Sequence, residues 1–299
     1  MKTRLKPREL VLFEYLKRRR SLSKEEIKKY RRLDRGYQGE VLFDQYLERL
    51  SSNFLLLKDL WLSHHNRAFQ LDHILLFHNT LYMFEIKNYP GEFYFQNEQL
   101  YLNSGEEIDN PLIQLRRSKS LLRQLLQQLE WDIPVVAAVV FINPECSLFQ
   151  TPRNSNIILP TQINRYLRQF ENEVPLNPMM HHVMNHLESI QLEHSPYEQL
   201  PTYHYNDLKK GIPCTSCDFF MTIVEGKKCR CQNCGQSEFV QTAIISNVEE
   251  FMFLFPDERV TSEQIYDWCR LPISLERIRY HLKKHLKSKG IKKGTYYIQ

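Results

Sequence analysis

Three charged residues carry the clearest chemical signal in this sequence. Glu85 and Lys87 lie two positions apart within LYMFEIKNYPGEF (residues 81–93), a run that otherwise has the composition of a buried strand. Asp72 lies in the preceding apolar run, AFQLDHILLF (residues 68–77). Because a buried charge without a partner is costly, these side chains need one another or a ligand.

The turn between the two runs decides whether Asp72 and Glu85 meet. Side chains alternate along a strand, so Glu85 and Lys87 share one face. If the runs form a hairpin, an even-length turn (residues 78–79 or 77–80) places Asp72 opposite Glu85, whereas a three-residue turn points Glu85 away from Asp72. The pairing of the two carboxylates is therefore a prediction about register.

Two neighbouring carboxylates repel each other, and one lysine cannot satisfy both. Mg²⁺ can, since it takes one or two carboxylates together with a backbone carbonyl and waters, and it also binds phosphate oxygens. Lys87 would then orient or deprotonate a nucleophilic water and stabilise the charge that develops on a phosphate. The alternative is a structural ion pair of Lys87 with Asp72 or Glu85. Two further polar residues in the neighbouring sequence favour a metal site over a structural ion pair. They are Glu40 in GYQGE (residues 36–40) and Gln114 after Asn110-Pro111.

The elements around these residues predict an α/β fold. GYQGE is expected to open a helix whose apolar stripe runs through Phe43 and Leu47, with Glu40 at its edge. Short β-like runs follow from residue 54 to 102, then a leucine-rich helix that starts at Pro111, then the fully apolar strand IPVVAAVVFINP (residues 133–144). This order predicts a mixed sheet flanked by helices.

The stretches GYQGE, FQLDHILLFHNTLYMFEIKNYPGEF and DNPLIQLRRSKSLL resemble the nuclease-related domain (NERD) family, a branch of the PD-(D/E)XK nuclease superfamily. The resemblance covers roughly residues 34–145. It implies a restriction-endonuclease-like core and phosphodiester hydrolysis, and it does not choose between DNA and RNA. The implied catalytic set is Glu40, Asp72, Glu85, Lys87 and Gln114, with Asp72 and Glu85 holding the metal. Ser118 stands where the family pattern has a tyrosine.

Five of the seven cysteines lie between Cys214 and Cys234. Two Cys-x2-Cys knuckles separated by thirteen residues match a closed, tetrahedral, structural Zn²⁺ site. The predicted ligands are Cys214, Cys217, Cys231 and Cys234. Cys229 is an alternative to Cys231, although the spacing to Cys234 favours Cys231. The apolar residues between the pairs predict a zinc ribbon with a β-hairpin.

The last forty residues predict a capped helix, a short turn, a second capped helix, a basic loop and a terminal strand, the order of a helix-turn-helix or winged-helix module. Arg277, Lys284 and Lys287 are the predicted nucleic-acid contacts. The alternative is a solvated amphipathic helix. His181, His182 and His186 have metal-like spacing but no acidic companion, so we do not predict a metal there.

Charge is distributed unevenly along the 299 residues. Residues 1–35 hold fourteen Lys/Arg against five Asp/Glu, and residues 277–293 hold eight against none, leaving an acidic middle. Basic ends of this kind suggest phosphate contacts, although solvated helix faces would look the same. No apolar run is long enough to span a bilayer and no signal peptide is recognisable, so a cytoplasmic protein without membrane contact is expected.

Four regions are predicted: a basic helical region (1–33), a NERD nuclease-like domain (34–200), a zinc ribbon (201–242) and a helix-turn-helix or winged-helix-like module (243–299). The first functional hypothesis is a nuclease that uses catalytic Mg²⁺ or Mn²⁺ and structural Zn²⁺ and prefers DNA to RNA as its substrate. The second is a non-catalytic DNA-binding or regulatory protein that keeps the fold. A zinc-stabilised adaptor is a weaker third.

Overall fold

The structure is a computed structural model that describes residues 4–51, 53–153, 156–171, 177–291 and 294–298. Residues 1–3 of the predicted basic region and 292–293 of the predicted basic loop lie outside this description. The α-helices are α1 (Arg8–Arg19), α2 (Lys24–Glu48), α3 (Pro111–Gln128), α4 (Ile163–Leu167), α5 (Pro178–Ser189), α6 (Val240–Leu254), α7 (Ser262–Cys269) and α8 (Leu275–His285).

The strands of the nuclease-like part are β1 (Leu55–His64), β2 (Arg67–Phe77), β3 (Thr80–Lys87), β4 (Gly91–Gln96), β5 (Gln99–Leu102), β6 (Glu107–Ile108), β7 (Val135–Phe141), β8 (Cys146–Phe149) and β9 (Ile157–Ile158). Those of the C-terminal part are β10 (Ile212–Pro213), β11 (Phe220–Met221), β12 (Ile223–Glu225), β13 (Lys228–Arg230), β14 (Ser237–Phe239), β15 (Lys287–Lys289) and β16 (Tyr296–Ile298). Short 3₁₀ helices cover Pro160–Gln162, Arg168–Phe170 and Tyr205–Asp207.

The chain divides into two compact units. Among the described residues, the first unit comprises those within Met1–Pro7 and Arg31–Gln199, and the second those within Arg8–Tyr30 and Leu200–Gln299. The four finer regions predicted from the sequence stay a prediction. Within the described residues, no helix is both long and apolar enough to cross a membrane.

The first unit is built on a mixed sheet in the order β1-β2-β3-β7-β9. The first three strands are antiparallel, and β7 and β9 run parallel to β3. One face of this sheet packs on α3 and α5, and the other on α2 and α4. Alternating residues of β3 feed the two cores, since Leu81 and Met83 belong to one and Phe84 and Ile86 to the other. The predicted fold, a mixed sheet flanked by helices, is confirmed.

Helix α2 does not start where the sequence suggested. GYQGE lies inside one continuous helix, Lys24–Glu48, instead of opening a new one. A glycine inside a helix costs about 1 kcal/mol relative to alanine, and the buried stripe through Phe43 and Leu47 on the same helix offsets that cost. Gly39 also permits a close approach, because a Cβ there would lie 2.6 Å from Cβ of Asn88.

The second unit has a core built from α1, α6, α7 and α8, with the small sheets β10-β11, β12-β13-β14 and β15-β16. Arg19 of α1 is buried at its centre. Its guanidinium donates to both carboxylate oxygens of Glu250 at 2.6 and 3.0 Å and to Asn247 at 2.8 Å, and it stacks over Trp268 at 3.8 Å. The buried guanidinium is thus paired with a carboxylate and hydrogen-bonded, so it links α1 to α6 and α7 without leaving an unpaired buried charge.

The C-terminal order of elements agrees with the expected one. Thr261 and Ser274 cap α7 and α8 through their side chains, as predicted. The strands β15 and β16 then form an antiparallel pair, and Val260 bridges to Tyr297. The assignment of this C-terminal module as a winged helix remains a prediction.

Candidate functional site

The strands β2 and β3 separate at the two acidic residues. A two-residue turn joins the strands, and their last backbone pair is His73 with Phe84, so Asp72 and Glu85 come next on the two strands. Asp72 Oδ2 accepts a hydrogen bond from the backbone N–H of Ile86 at 2.8 Å. Both carboxylates are buried. The even-length turn required by the register argument is therefore present.

Lys87 lies between Glu85 and Gln114. Its Nζ donates to Glu85 Oε1 at 2.7 Å and to Gln114 Oε1 at 3.0 Å. Burial lowers the pKa of Lys87, but the nearby negative charge, chiefly that of Glu85, outweighs it and raises the pKa above its ordinary value. Lys87 is thus an ammonium at neutral pH and acts as a hydrogen-bond donor.

The start of α3 determines where Gln114 lies. Asn110 is the N-cap: its side chain accepts a hydrogen bond from the N–H of Leu112 at 2.9 Å, and Pro111 occupies the first helical turn. Asn110 also donates to the carbonyl of Glu98 at 2.6 Å, which ties the helix start to the β4–β5 turn. The first turn of α3 therefore presents Gln114 to Lys87.

Glu40 reaches the same region from α2. The missing side chain at Gly39 lets the helix approach Asn88, just after the end of β3. Burial and then the charge of Asp72 raise the pKa of Glu40 well above its usual range, against the opposing effect of Arg4. Glu40 and Asp72 therefore interact electrostatically.

A buried ionic cluster lies directly behind Glu40. Arg4 donates from Nη1 to Glu40 Oε2 at 2.6 Å and from Nε to Asp44 Oδ2 at 3.0 Å. Lys58 Nζ lies 3.1 Å from Asp44 Oδ2, and His73 Nε2 lies 2.7 Å from Asp44 Oδ1. Burial alone would raise the pKa of Asp44, but the hydrogen bonds from His73 and Arg4 hold it well below its usual range.

Sequence reasoning missed this cluster. The basic N-terminal stretch predicts either phosphate contacts or solvated helix faces, yet Arg4 within it is buried against carboxylates. His73 lies within an apolar run, and nothing in that run indicates a buried ionic contact. The one available signal was Asp44, an acidic residue one helical turn after Glu40 on the face that buries Phe43 and Leu47.

The residues from Glu40 to Gln114 fall within one continuous stretch of the chain. Residues 35–142 match the family model of the nuclease-related domain, NERD. The resemblance read from the motifs between residues 34 and 145 is thereby confirmed. No curated protein and no solved structure matches the chain.

Asp72 is a buried carboxylate whose pKa lies well above its ordinary value. Burial and the charge of Glu85 raise its pKa to about 7, although Lys87 acts in the opposite direction. The folded-state pKa thus exceeds the ordinary value of 3.8. Between these two values the folded protein binds more protons than the unfolded chain, so this group lowers the free energy of unfolding as pH rises from about 4 to 7.

Replacing Asp72 by asparagine should therefore stabilise the protein when no divalent cation is added to the buffer. We expect the gain to be on the order of 1–3 kcal/mol at pH 8 and to shrink as the pH falls toward 4. Denaturant unfolding of zinc-loaded protein at pH 5 and pH 8 measures it. The exposed Asp109→Asn is the matched control, expected to change stability by less than about 0.5 kcal/mol. An Asp72→Asn variant less stable than wild type at pH 8 would contradict the electrostatic account.

The residues of the NERD segment fit a hydrated Mg²⁺ ion. Such an ion needs only one or two carboxylates and keeps several waters. Asp72 and Glu85 supply two, and the raised pKa of Asp72, caused by burial and then by the charge of Glu85, shows that its negative charge is costly without a cation. Among the described residues, however, Glu40, Asp72 and Glu85 do not converge into a cluster of three metal-ligating groups.

The four cysteines of the second unit do converge. The ligand sulfurs of Cys214, Cys217, Cys231 and Cys234 all lie within 4.8 Å of one another. Cys214 Sγ is 3.6 Å from Cys234 Sγ, and Cys217 Sγ is 3.5 Å from Cys231 Sγ. Sulfurs about 2.3 Å from a tetrahedral zinc lie about 3.8 Å apart, so this cluster could hold Zn²⁺. The hairpin β12–β13 lies between the two pairs in the chain, as predicted.

Cys229, the alternative ligand, points elsewhere. It lies outside the four-sulfur cluster, and its Sγ donates to the carbonyl of Glu238 at 3.6 Å. Burial raises the pKa of its thiol to about 11. Cys229 is therefore a buried neutral thiol, whereas hydrogen bonds from Asn233 and the backbone at Phe219 lower the pKa of Cys217 to about 6.

The predicted nucleic-acid residues occupy the end of the second unit. Arg277 in the first turn of α8 is partly buried and donates to the carbonyl of Gly226 at 2.6 Å. Lys284 near the end of α8 and Lys287 at the start of β15 are exposed. Arg277 thus has a structural hydrogen bond that the sequence did not indicate, and the two lysines present their charges to solvent.

The histidines on α5 pack against an aromatic ring. His182 and His186 contact Trp131 edge-on, with ring centroids 6.0 and 5.3 Å apart. Within the described residues, they form no metal-ligating cluster.

Proposed function

We propose that this protein is a metal-dependent nuclease that hydrolyses phosphodiester bonds, with DNA preferred over RNA. The observation that carries the proposal is the arrangement of Asp72, Glu85 and Lys87 where β2 and β3 separate, inside the stretch that matches the NERD model. A buried carboxylate pair beside an ammonium is costly to maintain for packing alone. Its chemistry suits a divalent cation and a phosphate.

Asp72 and Glu85 would hold the cation, Mg²⁺ or Mn²⁺. When bound, such an ion polarises a phosphate oxygen and lowers the pKa of a water ligand. Asp72 keeps one oxygen on the N–H of Ile86, which fixes the orientation of its carboxylate. Glu85 also accepts a hydrogen bond from Lys87. The ammonium of Lys87 would therefore lie close to a phosphate bound at the cation.

Lys87 has the role of donor. It would orient the attacking water and donate a hydrogen bond to a non-bridging phosphate oxygen as charge develops there. Gln114 holds the ammonium in place from α3. Glu40, beside Asp72, would accept a hydrogen bond from a water of the cation's shell. Water adds to phosphorus, the bond to one ester oxygen breaks, and a phosphate monoester and an alcohol are released.

The second unit would bind nucleic acid. Exposed Lys284 and Lys287 are suited to phosphate contacts. Arg277 would also contact a phosphate while keeping its hydrogen bond to the carbonyl of Gly226. The helix order α7–α8 supports DNA as the partner, because a helix-turn-helix reads a DNA groove. A structural Zn²⁺ on the four cysteines would stabilise this unit. Cytoplasmic location remains a prediction from the sequence.

One experiment tests this function. Purified protein is incubated with plasmid DNA, single-stranded DNA and RNA in Mg²⁺ or Mn²⁺, with metal-free reactions and the Lys87→Ala and Asp72→Ala variants in parallel. We expect metal-dependent cleavage of DNA by the wild type and strongly reduced cleavage by both variants. Binding without cleavage would favour the alternative, a non-catalytic DNA-binding or regulatory protein.

A further inference from the structure

Arg4 is a buried arginine that the proposed chemistry leaves without a role. It is 8% exposed, and it contacts groups from two different elements of the first unit, α2 and β2. Nothing in the sequence near Arg4 explains why a residue so close to the described start of the chain is enclosed. The partners of its guanidinium give the explanation.

The guanidinium is anchored on Asp44. Nε and Nη2 donate to the two oxygens of that carboxylate at 3.0 and 3.3 Å, a forked arrangement that only arginine can make. Asp44 is itself fixed by Lys58 at 3.1 Å and His73 at 2.7 Å. Nη2 also lies 3.4 Å from the carbonyl oxygen of Asp72. These anchors leave the guanidinium little freedom to move.

The remaining nitrogen reaches the site. Nη1 donates to Glu40 Oε2 at 2.6 Å, a short charge-assisted bond. Glu40 is largely buried beside Asp72, where two like charges repel. Without the guanidinium on Oε2, repulsion from Asp72 would turn the Glu40 carboxylate away. With Arg4 bonded to Oε2, the orientation of the Glu40 carboxylate is fixed, and its second oxygen is left for the metal site.

We propose that Arg4 is a positioning residue that clamps the Glu40 carboxylate in a metal-facing orientation through a guanidinium anchored on Asp44. Arg4 does not compete with the cation for Asp72 and Glu85, because its contact with Asp72 is to the backbone carbonyl. An arginine that occupied the metal site would have to move away when the metal binds. Arg4 is instead anchored on Asp44, which is not a proposed metal ligand. This inference rests on the proposed function, since it needs a metal site to position.

Mn²⁺ affinity of the zinc-loaded full chain, measured by titration calorimetry, tests the clamp without relying on cleavage. Removal of a partner that orients a metal-site residue typically costs about 10- to 100-fold in affinity, and we expect that loss for Arg4→Met. Arg4→Lys keeps the charge but cannot form the fork, so we expect it to lose about 10-fold. Arg49→Met, at an exposed arginine just after α2, should bind Mn²⁺ like the wild type.

A double-mutant cycle separates positioning from general destabilisation. If Arg4 acts through Glu40, adding Arg4→Met to Glu40→Gln should weaken Mn²⁺ binding by no more than about 2-fold further. The same loss in both backgrounds would overturn the proposal, as would unchanged or tighter binding in Arg4→Met. If Arg4→Met does not fold, Arg4→Lys decides, since wild-type affinity in that variant would rule out the forked clamp. Wild-type protein that binds no Mn²⁺ would instead refute the proposed function, and the clamp with it.

Discussion

Replacing Lys87 by methionine is expected to lower the rate of metal-dependent DNA cleavage by about 10²- to 10³-fold. Methionine keeps the apolar length of the side chain and removes only the ammonium, which donates to Glu85 at 2.7 Å and to Gln114 at 3.0 Å. The loss should appear in the single-turnover rate at saturating protein, because Lys87 acts on charge that develops during the reaction. DNA affinity should change little.

Lys119→Met is the matched control for this prediction. It removes the same charge from α3, the helix that carries Gln114. We expect a rate close to that of the wild type for Lys119→Met. Lys87→Arg should not restore the rate, since a planar guanidinium cannot take the place of a compact ammonium between two oxygens. Cleavage at the wild-type rate by folded Lys87→Met would mean that the ion pair with Glu85 is structural.

Replacing Cys214 by serine should remove the zinc and loosen the second unit. Purified wild type is expected to contain about one zinc per chain, and Cys214→Ser close to none, by elemental analysis. The sulfur of Cys214 is buried and lies 3.6 Å from that of Cys234, so serine would leave a gap in a closed four-thiolate site. Structural zinc contributes on the order of 10 kcal/mol in small zinc-dependent modules, so the unfolding temperature of this unit should fall sharply.

Cys229→Ser is the control that distinguishes zinc binding from a general effect on the core. Cys229 is equally buried and has a neutral thiol bonded to the carbonyl of Glu238. Its replacement should leave the zinc content unchanged and cost only the packing of one sulfur. Zinc-free wild type, or loss of zinc from Cys229→Ser but not Cys214→Ser, would refute the assignment of the four ligands.

The parts of the fold that follow from local pattern were predictable. Alternation along β3 and the two-residue turn before it fix which face Glu85 occupies. Asn110-Pro111 fixes the start of α3 and hence the position of Gln114. The cysteine spacing selects the four converging sulfurs. In each case a short pattern decides the feature: an alternation, a turn length, a helix cap or the two-residue spacing within each cysteine pair.

The parts that depend on distant residues were not predictable. Arg4 pairs with Asp44, forty positions away, and Arg19 pairs with Glu250, separated by 231. Neither arginine differs by type or spacing from its basic neighbours, so a single sequence cannot show which of them is buried. The continuous α2 was missed for a related reason. Burial of its stripe outweighs the local preference of Gly36 and Gly39 to end a helix.

The most direct test of the central claim compares the wild type with Asp72→Asn, purified in parallel, for cleavage of DNA in Mg²⁺ and without added metal. Asp72→Asn is the sharpest variant, because we expect it to be more stable than the wild type at pH 8, so that lost cleavage cannot be ascribed to unfolding. The account predicts Mg²⁺-dependent cleavage by the wild type and a rate lower by at least about 100-fold in Asp72→Asn. Equal cleavage by the two proteins would contradict it.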